Sequence, residues 1–463
     1  MLKKFAIGFV VLLLGAAAFV YVTNGPVARA GSGYAAKNIC SGYFLSGLTP
    51  EVMRDEALAG ASDILANVSY DIDEDQQHVT TRLFGLFERR AVFTPGIGCT
   101  LLPSGEKQTS LAIEPLPRLD VSGAAPWPSG SLVPDVSPRF DALLQATFNE
   151  EDPERPRNTK AIVVVHEGKL VAEKYADGVA ADTPLIGWSM AKSITALMVG
   201  VLVKDGTLDP GAAAPVPAWR ESEGDPRAAI TLDQLLRMSS GLEFNETYSA
   251  ATDVTHMLSN EPDAAAFAAD KPPIGPPDTI WSYSSGTTNI VSAIVKRSVG
   301  DTLQAYYDFS QKRLFRPLGI STATFEADAS GTFIGSSYLY ASARDWARLG
   351  LFCLQDGVWD GEALLPEGWI DYVTAPTPTT TSNEYGAHFW LNRDPDDASR
   401  ERMFPLLPED AYYMGGFQGQ LVLVIPSEDL VITRFGFTPA RNHGVEELAA
   451  EIIAQLNEER ERG

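Results

Sequence analysis

Gly187-Trp188-Ser189-Met190-Ala191-Lys192-Ser193-Ile194-Thr195-Ala196-Leu197-Met198-Val199-Gly200 sets a serine three residues ahead of a lysine at the mouth of an apolar run. In an α-helix, residues i and i+3 share a face with Cβ atoms roughly 5–6 Å apart, so Ser189 and Lys192 become neighbours. Ile194, Leu197, Met198, Val201 and Leu202 are apolar on more than one side, which predicts a helix inside the domain rather than on its surface. A lysine there must be paired or give up its charge, and either state suits an acceptor for the serine proton. The plain alternative is a helix start with Ser189 as cap and Lys192 in water. A lone Ser-x-x-Lys weighs the two equally.

Ahead of this helix, Ala161 to His166, a turn at Glu167-Gly168-Lys169, and Leu170 to Tyr175 read as a hairpin. Far behind it, Gln420 to Ile425 and Leu430 to Phe435 read as two more strands around Pro426-Ser427-Glu428-Asp429, followed by an amphipathic helix from Val445 to about Glu459. Between them the patterns are helical: Ile230 to Met238, Thr288 to Val299, Asp301 to Leu314 and Ala343 to Leu354. Strands at both ends around a helical middle predict an α+β domain over 137–463, with one antiparallel sheet built from both ends and an inserted helical subdomain.

Before that domain, residues 36–115 read as an accessory α/β unit: a helix near Pro50 to Leu65, then strands at Val68 to Ile72 and His78 to Phe84. A Pro-rich linker occupies 116–136. Residues 1–30 read as an export or anchoring segment, with Lys3 and Lys4 ahead of an uncharged run over 5–22 and a small-x-small site at Ala28-Arg29-Ala30. Retention as an anchor is favoured, with everything after residue 30 exported to the extracytoplasmic or periplasmic side. Cys40 and Cys99 flank one compact segment and read as a disulfide, whereas Cys353 lies in an apolar run and reads as a buried thiol.

The chain has 463 residues, 45% of them hydrophobic, enough for a large core, and a formal charge of −24, which argues against nucleic acid as a partner. Three cysteines and five histidines, all scattered, form no metal-site spacing, so no metal or other cofactor is expected.

Three stretches in order resemble the serine β-lactamase and penicillin-binding superfamily, in particular its class C-like esterase and amidase branch: Ser189-Met190-Ala191-Lys192, Tyr283-Ser284-Ser285 in place of Tyr-x-Asn, and Gly416-Phe417-Gln418-Gly419-Gln420 in place of Lys-Thr-Gly or His-x-Gly. Thr231 to Gly241 and Arg316-Pro317-Leu318-Gly319 also look like the family, and the resemblance covers about 160–455. The N-terminal unit and the third stretch look most like 6-aminohexanoate-dimer-hydrolase-type members.

The resemblance implies an acyl-enzyme on Ser189, with Lys192 and Tyr283 as the pair that accepts its proton, a neutral lysine or a tyrosinate beside a cationic lysine being the two options. It implies an oxyanion hole from the backbone N–H groups of Ser189 and Gln420, and substrate contacts from Trp188, Ser285, Phe417, Gln418 and Gly419. Phe417 in place of a cation and Ser285 in place of an amide argue against a true β-lactamase and for a small ester or simple amide as substrate. Two rivals stand beside this: a Ser-His-Asp hydrolase using His443, and a non-catalytic membrane-anchored binding or sensor protein of the same fold.

Overall fold

Residues 25–462 are described by the computed structural model, save 110, 122–124, 134–136, 151, 153–154, 249–251, 381, 398 and 440–442; the apolar run at 5–22, read as leader or anchor, lies outside them. Ala161, Val163 and Val165 pack to one side of their strand and Ile162 and Val164 to the other, both sets buried. That pattern marks a strand covered on both faces. It belongs to a six-stranded antiparallel sheet in the order Trp390–Leu391, Tyr412–Gly416, Gln420–Ile425, Leu430–Gly436, Thr159–His166 and Lys169–Tyr175. The two ends of the domain meet where Val431 faces Val165 and Ile432 faces Val164.

One face of the sheet is covered by the helices Asp141–Phe148 and Val445–Arg462, the latter through Val445, Leu448, Ile452 and Leu456, the spacing of a helical stripe. The other face carries the helices Met190–Lys204 and Ala343–Leu354. Every residue from Met190 to Leu202 is buried, which is why this helix reads as apolar all round. The inserted helical part contains Leu232–Leu236, started by a Thr231–Gln234 capping box, and Ser285–Ser298, capped by Ser284. The latter begins before the predicted Thr288 because the Ser284 hydroxyl accepts from the Thr287 N–H. The stretch predicted as one helix over Asp301 to Leu314 is an α-helix at Leu303–Ser310 and a π-turn at Gln311–Phe315.

The N-terminal unit holds four strands, Val68–Asp73, His78–Leu83, Leu86–Thr94 and Gly98–Leu101, where two were predicted. Glu88, Arg89 and Arg90 broke the apolar pattern of the third, yet Arg89 is buried and donates to the carbonyls of Ser259 and Leu102. The chain is helical over 25–44, so the boundary drawn between a leader and the unit falls inside one helix, with Ala28 and Ala30 of the small-x-small site buried. Small residues hide its periodicity and allow close packing: a Cβ on Gly33 would lie 2.8 Å from the Ser259 carbonyl oxygen. Cys40 on this helix is disulfide-bonded to Cys99, Cα atoms 6.1 Å apart, and Cys353 is a buried thiol. Among the described residues, no helix is long and apolar enough to cross a membrane.

Candidate active site

A two-residue strand, Leu185–Ile186, pairs with Leu339–Ala341 and delivers the chain to Ser189; it is too short to leave an alternating signature. At Gly187 a Cβ would meet the Trp346 ring at 2.4 Å, so only glycine brings this loop down onto the helix below. Trp188 follows with φ of 47°, a left-handed conformation that a bulky residue adopts at a cost of about 1–3 kcal/mol and that clusters at functional sites. Ser189 has helical φ/ψ at the start of its helix and makes no capping bond. Its Oγ instead accepts from Lys192 Nζ at 3.0 Å.

Lys192 is buried and also donates to Ser285 Oγ at 3.0 Å and to the Ser336 carbonyl at 3.1 Å. Burial lowers its pKa to about 8, against a smaller upward pull from Glu246. Sequence reading missed Glu246. Its carboxylate accepts from the Ser285 N–H at 2.7 Å and from Ser285 Oγ at 2.5 Å, and burial raises its pKa while Lys192 and Ser285 oppose the rise. Ser285 therefore bridges Lys192 and Glu246. Because Ser285 is fully buried, its predicted substrate contact is replaced by this bridging position. An acid five residues beyond Gly241 carries no local pattern, and only the tertiary fold brings it here.

Tyr283 lies beneath the same ammonium, Lys192 Nζ being 4.8 Å from its ring centroid. Burial, then the Glu246 charge, push the Tyr283 hydroxyl above its ordinary value, and its hydrogen bond with Ser189 only partly offsets them. Over Ser189 opens a cleft of about 760 Å³. Along it Tyr283 stacks on Trp390 (5.2 Å between centroids), Trp390 on Tyr413 (6.3 Å), and Phe404 meets Tyr413 edge-on (5.1 Å). Phe417 and Tyr248 add a second stacked pair at 5.8 Å. Among the described residues that line the cleft there is no lysine or arginine, and Glu446 and Glu447 are the charged ones.

The third stretch splits into parts with different jobs. Gly416 ends its strand against the loop that carries Ser189, where a Cβ would lie 2.2 Å from the Gly187 carbonyl oxygen. Phe417 faces the cleft. Gln418 and Gly419 line the cleft as well, although the Gln418 side chain donates to the Ala57 carbonyl of the N-terminal unit at 2.9 Å; Trp188 is buried between Tyr34, Tyr338 and Phe417. Gly419, with φ of 78°, makes room for the Arg434 guanidinium, which donates to its carbonyl at 3.0 Å. Gln420 lies across the hairpin from Gly416, and its amide ties the turn down by donating to the Phe417 and Gly436 carbonyls and accepting from the Gly436 N–H.

His443 lines the cleft but packs against Phe404 and Gly419, and burial with Arg434 and Arg157 nearby lowers its pKa to about 3. A strand does lead into Ser189, but it is antiparallel, and Ser189 has helical φ/ψ rather than the strained backbone of a nucleophile elbow; among the described residues its Oγ is hydrogen-bonded to Lys192, not to His443. Among the described residues no group of three His, Cys, Asp or Glu could hold a metal ion.

The 6-aminohexanoate-dimer hydrolase of Paenarthrobacter ureafaciens is 26% identical over 320 residues, covering 65% of this chain and 78% of its own. Among solved structures, a Bacillus anthracis protein assigned as a 6-aminohexanoate-dimer hydrolase superposes with a TM-score of 0.55 at 21% identity, over 77% of this chain and 89% of that one. A penicillin-binding protein homologue from Caulobacter crescentus gives 0.52 at 16% identity, over 69% and 98%. These two likenesses speak for the fold. The family described as Beta-lactamase matches residues 144–456, a span that takes in the whole six-stranded sheet together with Ser189, Lys192, Glu246, Tyr283 and Gly416. The chain belongs to the beta-lactamase family.

Proposed function

We propose that this chain is a serine hydrolase that cleaves an ester or simple amide through an acyl-enzyme on Ser189, and that it is not a true β-lactamase. The observation that carries the reading is the 3.0 Å contact between Ser189 Oγ and a buried lysine amine whose pKa is lowered to about 8. Near that pH a substantial fraction of Lys192 is neutral and can accept a proton. Ser189 Oγ attacks the carbonyl carbon as its proton passes to Lys192, and the carbonyl electrons move onto the oxygen. The oxyanion is held by the Ser189 N–H and by a second main-chain N–H from the Gly416–Gln420 stretch, which lines the cleft together with Ser189. Such a donor is worth about 3 kcal/mol.

Tyr283, held protonated by its surroundings, donates a proton to the leaving oxygen or nitrogen and recovers one from Lys192. Water then adds to the acyl carbon, its proton goes to Lys192, and Ser189 Oγ leaves and is reprotonated. Glu246, through Ser285, supports the ammonium form of Lys192 that arises in each half-reaction. The aromatic cleft, with no described cation, suits an apolar acyl group better than a carboxylate-bearing one.

The test is Ser189→Ala assayed on p-nitrophenyl butyrate. Hydrolysis falls to the buffer rate while the melting temperature stays within a few degrees of wild type. Turnover unchanged in Ser189→Ala overturns the assignment.

A further inference from the structure

Val27, Ile64, Phe84 and Leu86 are exposed by 38, 53, 64 and 54%, and they gather at one end of the N-terminal unit. Phe84 forms the tip between the second and third strands, whose register pairs Leu83 with both Val68 and Leu86. Ile64 lies in the 3₁₀ turn that feeds Val68. A Cβ on Gly31 would lie 3.2 Å from Leu65 and 3.5 Å from Leu83, which brings the 25–44 helix to the same end. Scattered exposed apolar residues need no explanation, but a cluster does.

Residue 25 lies at this very end: a Cβ on Gly25 would lie 3.4 Å from the Phe87 ring, and the Arg29 guanidinium sits 5.8 Å from that ring's centroid. Only Thr23 and Asn24 separate Gly25 from the uncharged run over 5–22. Eighteen residues in a helix extend about 27 Å, close to the hydrocarbon thickness of a bilayer. Three Cα steps reach at most about 11 Å, so a bilayer holding that run would lie within about one headgroup layer of Gly25. We propose that this end of the N-terminal unit rests on a lipid bilayer, with residues 5–22 inserted and Val27, Ile64, Phe84 and Leu86 seated in the interface. Exposed apolar tips lose little in such a setting and gain by burial among the acyl-chain ends.

The experiment uses the full chain reconstituted into phosphatidylcholine vesicles and carrying a fluorophore at Phe84→Cys, Leu86→Cys or, in the turn at the opposite end of the same strands, Gln76→Cys. Cys353 is buried and stays unlabelled in the folded protein. The chain is expected to float with the vesicles, and nitroxide-bearing lipid is expected to quench the labels at 84 and 86 at least threefold more than the label at 76. Equal quenching at both ends, or a chain that does not float, overturns the proposal. Quenching needs no turnover, so this outcome is separate from the fate of the hydrolase reading.

Discussion

Lys192 has a hydroxyl on each side, Ser189 Oγ and Ser285 Oγ, and its charge is balanced only at one remove, through Ser285 to Glu246. The consequence is a pH profile with a definite sign. On the proposed mechanism a neutral Lys192 accepts the serine proton, so kcat/KM is expected to rise with pH through an acid limb whose midpoint reflects the lysine, about 8. Glu246 pulls that pKa up, so Glu246→Gln is expected to move the midpoint to lower pH, whereas a loss of packing alone would lower the rate at every pH and leave the midpoint in place. Rate profiles from pH 5.5 to 10 on an ester whose leaving group does not titrate separate the two. Ser189 with Lys192 was legible in the sequence because their pairing is local, fixed by the pitch of one helix. Glu246 was not, since 53 residues intervene between it and Lys192, and the bridging position of Ser285 was not for the same reason: it depends on a tertiary meeting of Lys192, Ser285 and Glu246.

At the level of elements, the site depends on two backbones meeting with no side chain between them, the Gly187 loop and the Gly416 strand end. A Cβ at Gly416 would lie 2.2 Å from a main-chain oxygen, and main chain cannot rotate away as a side chain can. Gly416→Ala must therefore part the strand from the Gly187 loop, the kind of overpacking that costs about 1–3 kcal/mol. If the second oxyanion donor lies in this segment, kcat drops about 10²-fold or more while substrate binding in the aromatic cleft, read as KM, changes little. A fall confined to KM would place the donor elsewhere. Four strands of the main sheet were readable because their apolar runs are bracketed by turn residues, whereas Trp390–Leu391 and Tyr412–Gly416, the first two residues long and the second ending in two glycines, were not. Leu185–Ile186 was not, being two residues long, nor was Leu86–Thr94, whose charged residues include an arginine that the fold buries against main-chain carbonyls.

Across the whole molecule, the N-terminal unit acts as a support for the site rather than an appended layer. One continuous apolar cluster runs from Ala35, Ala36 and Ile39 of the 25–44 helix to Met190, Ile194 and Trp346. Tyr34 stacks on Trp188 at 5.8 Å, immediately before Ser189 and at the position with the strained φ. Beside it Lys37 is ion-paired with Glu326 in full burial, Glu326 also accepting from Ser41 Oγ at 2.8 Å and the Cys99 N–H at 2.6 Å. This joint is a tertiary fact that the sequence could not reveal, since Lys37 and Glu326 are 289 residues apart. Breaking a buried pair from one side leaves a charge stranded and costs about 3–5 kcal/mol, whereas replacing both partners restores much of that loss. Lys37→Met is therefore expected to lower both the melting temperature and ester hydrolysis, and Lys37→Met with Glu326→Gln to recover most of each, because the helix is then free to return Tyr34 to its place under Trp188. Tyr34→Ala distinguishes support from simple stability: if the stack holds the strained Trp188 in register, kcat falls several-fold at a temperature well below the melting transition, and Tyr34→Phe, which keeps the ring, restores it. A Tyr34→Ala protein that turns over at the wild-type rate while melting earlier would confine the N-terminal unit to stability and leave the geometry of Ser189 to its own helix.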